Sequence, residues 1–189
     1  MGNPLRERRS AAEWSAGAQV IEIADKLCDF RQLSTIVEAD LAALDADKIP
    51  VDWRDAEVAG QLKFGFADAQ QLLPMVKCRV AVTVGAVCQR CLEVFQLLLE
   101  AEADLLLLAL EQDADGYDEF EVWELEESLL RPQDIVEEML IMALPFSAMH
   151  VESAACKALS PVAAGNAEKT TTPFAALREQ MVTDNEGSA

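Results

Sequence analysis

What is scarce in this sequence narrows the field before anything present is read. There is one histidine and one tyrosine in 189 residues, and aromatic side chains make up 6% of the chain. Acid–base and nucleophilic catalysis most often recruits histidine, yet no G-x-S-x-G elbow, P-loop or dinucleotide fingerprint accompanies His150. No catalytic constellation is expected, and the chain does not read as an enzyme. Basic residues are few: 15 Lys and Arg stand against 34 Asp and Glu, a formal net charge of −19. Such a chain repels a phosphate backbone unless its positive charge is gathered in one place. Long apolar runs are missing as well. Leu105 to Leu110 spans six residues, where a bilayer-crossing helix needs about 20. Met1 to Arg9 is basic but leads into Ala11-Ala12-Glu13-Trp14 rather than the apolar stretch of a secretory leader. Gly2 is no myristoylation signal, because Arg6 stands where that motif wants Ser or Thr. A soluble, cytoplasmic protein without membrane association is expected.

What is present is enough to build a core, since 51% of the residues are apolar. Five cysteines (28, 78, 88, 91 and 156) are an odd number. In a chain without a leader they fit reduced thiols or a metal site better than a disulfide framework. The charge is also segregated along the chain. From Glu93 to Glu138 sixteen carboxylates are opposed by Arg131 alone, whereas between Lys63 and Leu92 the cations Lys63, Lys77, Arg79 and Arg90 face only Asp68. Solvated surface charge accounts for most of these residues, but one element of an acidic molecule is mildly basic.

The apolar period changes twice. Leu33, Ile36, Val37, Leu41 and Leu44 follow helical spacing, one stripe of an amphipathic helix between Phe30 and Leu44. After Pro50 the period becomes two, which predicts strands near 57–66, 76–87, 93–105 and 119–125. No helix-length segment separates the central strands, so antiparallel pairing is expected over βαβ crossovers. The helical period returns at 132–143, where Pro132 suits a first turn and Ile135, Val136, Met139, Leu140 and Ala143 form the apolar face. The fold class is α+β: a single domain with a mainly antiparallel sheet, a few packed helices and loose ends. The boundaries expected are a flexible basic tail at 1–13, the domain at 14–156, a linker at 157–171 and a short helix and tail at 172–189. Thr172-Pro173 would open that last helix.

Cys88-Gln-Arg-Cys91 is the sharpest motif. A Cys-x-x-Cys pair at a strand-to-strand turn can aim two thiolates at one metal ion, and His150 and Cys156 would complete a Cys₃His set suited to structural zinc. The alternative is two reduced cysteines packing a tight turn. A thioredoxin-like reading needs a helix after the motif, and none is expected here. Cys28 and Cys78 read as core residues. The acidic stretch Glu111 to Glu119 resembles a calcium loop only superficially. With Gly116 at the sixth position the twelfth is Val122, where a bidentate glutamate is required.

Three segments together resemble a known family. Val87-Cys-Gln-Arg-Cys-Leu-Glu-Val-Phe95 follows an alternating strand. Asp134-Ile-Val-Glu-Glu-Met-Leu-Ile-Met-Ala-Leu-Pro145 then leads to His150 and Cys156, and Thr172-Pro-Phe-Ala-Ala-Leu177 lies near the end. In that order, over roughly residues 55–180, the chain resembles the bacterial YceD family of large ribosomal RNA subunit accumulation proteins. The resemblance implies a non-enzymatic role in synthesis, processing or stability of 23S ribosomal RNA, within ribosome biogenesis; it assigns no catalytic residue.

Two modes of action compete within that role. In the first, contact is with basic ribosomal proteins or a pre-ribosomal particle. Strand alternation puts Glu100, Glu102 and Asp104 on one solvent face as a partner-facing acidic surface. In the second, Lys63, Lys77, Arg79 and Arg90 contact ribosomal RNA beside the Cys-x-x-Cys turn, without an evident aromatic platform for stacking bases. A zinc-stabilised interaction module is a further alternative.

Overall fold

The computed structural model describes residues 2–109, 116–125 and 127–150, together with Ser153 and Cys156. The expected linker at 157–171 and the helix from Thr172 lie outside the described residues, as does the acidic stretch 111–115. Met1–Val151 forms one compact unit and Glu152–Ala189 a second.

Alternation builds the frame. Five strands, β1 (Val20–Lys26), β2 (Glu57–Phe66), β3 (Pro74–Val87), β4 (Val94–Ala109) and β5 (Glu121–Leu125), form one sheet in chain order. The first three pairings are antiparallel, as sequential strands with short connections favour, and β5 lies parallel to β4. The mainly antiparallel α+β architecture is therefore as read from the sequence. Because the side-chain period is two, one set of residues faces inward: Val58, Leu62 and Phe64 on β2, Val76, Cys78, Val80 and Val82 on β3, and Leu99, Ala103 and Leu105 on β4, all buried in one apolar cluster. At the far end of β4 the run Leu105–Leu108 is buried on both faces, because Leu106 and Leu108 join Met75 in a smaller cluster with Tyr117 and Phe120.

Gly60 has a steric reason on β2. A Cβ there would sit 2.2 Å from the Arg79 carbonyl oxygen, so only glycine allows β2 and β3 to approach at this point.

Three helices pack on the inner face: α1 (Ala11–Ala16), α2 (Arg31–Leu41) and α3 (Pro132–Met142). Ser10 opens α1 with a reciprocal capping box to Glu13, and Pro132 opens α3 as expected of a residue without an N–H. Ile135, Val136, Met139 and Leu140 point into the core, matching the expected face. The start of α2 is capped differently. Its N-cap, Phe30, has no side-chain acceptor, and the buried Glu137 of α3 takes that role, accepting from the Gln32 and Leu33 N–H groups at 2.5 and 3.1 Å.

The first thirteen residues carry structure of their own. Leu5 is buried in a short 3₁₀ turn capped by Asn3. Arg9 and Leu130 exchange backbone hydrogen bonds at 3.2 and 2.7 Å, and the buried Trp14 stacks on Phe64 and donates to the Leu130 carbonyl at 3.3 Å. Of the two cysteines read as core, Cys78 is buried but Cys28 is exposed. Cys28 sits in the 3₁₀ turn Leu27–Asp29, whose inward position goes to Leu27.

Candidate functional site

Two places gather the residues singled out by the sequence: the turn between β3 and β4, and the outer face of the sheet. The turn is assembled by backbone bonds before any thiol is considered. Asp40 of α2 accepts from the Val87 N–H at 2.8 Å and anchors the end of β3. The Cys88 N–H donates to the Glu93 carbonyl at 2.9 Å, and the Leu92 N–H returns to the Cys88 carbonyl at 2.8 Å. That closure requires Leu92 to take φ +59°, a left-handed conformation that side-chain-bearing residues seldom adopt. The reversal brings Cys88, which is buried, and the half-buried Cys91 to one end of the sheet.

The segment after α3 docks on this turn. The Gln89 N–H donates to the Ala148 carbonyl at 2.8 Å, which fixes the approach of His150. The imidazole lies against Phe95 with ring centroids 4.6 Å apart, and its Nδ1 is 3.4 Å from the Cys91 sulfur. Cys156, the fourth donor expected, belongs to the second unit. The two thiols and the imidazole gathered at this turn are donor types of structural zinc sites and could hold a metal ion. Neighbouring ligand atoms around tetrahedral zinc are separated by about 3.5–3.8 Å, and the Cys91–His150 spacing of 3.4 Å is slightly shorter than that. Asp40 and Ala148 support this site without any sequence signal, since each acts through one backbone hydrogen bond across many residues. Cys78 belongs elsewhere. It is buried on the inner face, and burial pushes its thiol up to about 12, so it stays protonated.

On the outer face, register decides what the charges meet. Lys77 stands opposite Asp104, and Arg79 opposite Glu102. The Lys77 ammonium reaches Asp104 at 2.6 Å, and the Arg79 guanidinium reaches Glu102 at 2.5 Å, with its Nε donating at 2.7 Å. Lys63, Lys77 and Arg79 of the expected RNA-contacting set thus share one face with the expected acidic partner surface, and two of each pair with one another. Lys63 is exposed opposite Lys77, Glu100 is exposed opposite Ala81, and Arg90 is exposed on the Cys-x-x-Cys turn; none has an ion-pair partner among the described residues.

Among the described residues no helix is long and apolar enough to cross a membrane. Neither a curated protein nor a solved structure matches the chain. A family model does: YceD, described as large ribosomal RNA subunit accumulation protein, matches residues 76–180. The description is that of an accumulation factor and names no enzymatic activity. The match opens on β3, takes in the Cys-x-x-Cys turn, β4, β5, α3 and His150, and covers more than half of the sequence. The chain belongs to the YceD family, whose name ties it to accumulation of the large ribosomal RNA subunit.

Proposed function

We propose that the protein is a non-enzymatic factor in the synthesis, processing or stability of 23S ribosomal RNA. It acts in the cytoplasm during ribosome biogenesis, through contact with basic ribosomal proteins or a pre-ribosomal particle. The observation that carries this choice over direct RNA binding is the cross-strand pairing on the outer face. Lys77 and Arg79, the two central cations of the basic stretch between Lys63 and Leu92, already have carboxylate partners at 2.6 and 2.5 Å. A phosphate must displace Asp104 and Glu102 to reach them, and it meets a chain of net charge −19 while doing so. The same two pairs occupy Asp104 and Glu102, so a basic protein is drawn by the net charge of the chain and by the carboxylates outside these pairs. Attraction of this kind raises the capture rate and selects partners more than it adds affinity, and it weakens with salt.

A pull-down at two ionic strengths tests the proposal, with extracted large-subunit proteins and naked large-subunit RNA as separate baits. Retention of a ribosomal protein that falls as salt rises is the expected result. Retention of the RNA alone returns the function to direct binding through Lys63 and Arg90.

The thiols and imidazole gathered at the turn favour a second element of this reading, a structural zinc held by Cys88, Cys91 and His150 with Cys156 as the expected fourth ligand. The ion would staple the segment after α3 to the β3–β4 turn, and it would give the left-handed Leu92 a reason for its strain. Protein purified without chelator should contain one zinc per chain by elemental analysis, and Cys88→Ser should lose it. Absence of zinc from the unaltered chain leaves the motif as a packed turn.

A further inference from the structure

We propose that the groove between β5 and α3 binds an extended, basic segment of a partner polypeptide. This rests on the reading that the partner is a basic protein, and it names where that partner is held. β5 is the last strand of the sheet: β4 occupies one side, and among the described residues nothing pairs with the other. An edge strand offers a row of backbone donors and acceptors to any extended chain laid beside it. Next to that edge runs a groove of about 590 Å³ lined by Leu105, Trp123 and Leu125 and by residues of α3. Its rim carries Val122, Leu129 and Met142, each about half exposed at 50%, 47% and 59%. Apolar side chains left open beside a sheet edge suit alternate residues of an added strand.

Charge identifies the occupant. Arg8 pairs with Glu127 at the mouth of the groove, and Arg131 pairs with Asp134. Glu121, Glu124 and Glu138 also line it and have no cation partner among the described residues. Asp134, Glu138 and Met142 fall at i, i+4 and i+8, one stripe of α3 turned toward β5. This is the reverse of the outer face, where Glu102 and Asp104 are already satisfied. A second copy of a chain carrying −19, or a phosphate backbone, would be repelled here. Alternation along β5 puts Glu121, Trp123 and Leu125 on one face and Val122 and Glu124 on the other, so an added strand alternating apolar and basic residues would lay its apolar side chains over Trp123 and Leu125 and aim its cations at Glu124, while Glu121 and Glu138 add to the attraction at the groove.

Two arms test this on the full chain. The first titrates a fluorescein-labelled peptide alternating lysine and valine, with a control of identical composition whose lysines are grouped in one block. The alternating peptide should bind, and the control should bind more weakly. Glu121→Gln, Glu124→Gln and Glu138→Gln combined should weaken binding about tenfold at low salt, with less effect at high salt. Val122→Lys, which puts a cation on the rim, should weaken it too. All these positions are solvent-facing, so thermal melting should be unchanged, and that is checked alongside. Equal binding of both peptides, or of variant and unaltered chain, overturns the groove. The second arm repeats the titration with extracted large-subunit proteins. Proteins retained equally by unaltered and variant chains would sink the groove while leaving the proposed function standing. A peptide bound in the groove with no large-subunit protein retained would do the opposite. A dimer that dissociates on Val122→Lys would mean the edge pairs with a second copy, and also overturns the proposal.

Discussion

The inner and outer faces of this sheet are cut from alternate residues of the same strands, and they differ in what one residue is worth. On β3, Val76, Cys78, Val80 and Val82 are buried among apolar neighbours, while Lys77 and Arg79 between them stand in water against Asp104 and Glu102. Burying a branched apolar side chain contributes about 1.5–3 kcal/mol, whereas an exposed ion pair contributes roughly 0.2–1 kcal/mol. Stability therefore resides on one face, and the other is left to decide solubility and recognition. The contrast is energetic and does not follow from composition, since both faces come from one continuous stretch of chain.

The largest effect should come from the inner face. Leu62 is fully buried at the centre of β2, and Leu62→Ala should cost about 2–5 kcal/mol in urea unfolding, through lost burial plus the cavity left behind. A loss below 1 kcal/mol would mean that the inner face is loosely packed. Next comes the polar exception to that face. Glu137 is buried and holds the first N–H groups of α2, so Glu137→Ala should cost about 1–3 kcal/mol, and Glu137→Gln less, since its amide oxygen can still accept.

Cys78 sharpens the contrast through pH. Burial raises its thiol from 9.0 to about 12. The folded chain then holds a proton that the unfolded chain releases, so the associated stability is full below pH 9 and declines as pH rises from 9 toward 12. Cys78→Val should melt with a shallower alkaline decline than the unaltered protein. Native Cys78 should also be the slowest to react with a thiol reagent at pH 8, behind the exposed Cys28. Matching alkaline slopes in the two proteins would remove the thiol from this account.

The smallest effect belongs to the outer face. A double-mutant cycle on Arg79 and Glu102 should give a coupling of only about 0.2–1 kcal/mol, shrinking with added salt. A coupling of several kcal/mol would mean that this pair is far less solvated than its exposure indicates.

The sheet was legible wherever local pattern and burial agree. The alternation at 57–66 and 76–87 appears as β2 and β3, and the stripe Ile135, Val136, Met139, Leu140 is the buried face of α3. β1 was not read in advance. Only Ile21 and Ile23 of its seven residues are buried, too short an alternation to stand out beside Asp25 and Lys26 at its end. The length of β4 was underestimated, because Leu105–Leu108 is apolar on both faces and breaks the period on which the strand was recognised. Of the site, the two cysteines at a turn and the two further candidate ligands could be named from residue type. Asp40, which anchors the turn, and Ala148, which seats the His150 segment, could not, because a single hydrogen bond between distant residues leaves no mark on either one's neighbours.

By itself the sequence determined the class of fold, the core-facing residues of β2, β3 and α3, the acidic excess and the donor types at the Cys-x-x-Cys turn. Each of these is a property of a residue and its near neighbours, set by side-chain period and chemistry. Tertiary structure alone decided which charges meet. Register places Lys77 on Asp104 and Arg79 on Glu102, and the parallel addition of β5 leaves Glu121, Glu124 and Glu138 lining a groove. Charge acts through distance in space, and a contact between residues 27 or 23 positions apart is fixed only when the strands that carry them have paired.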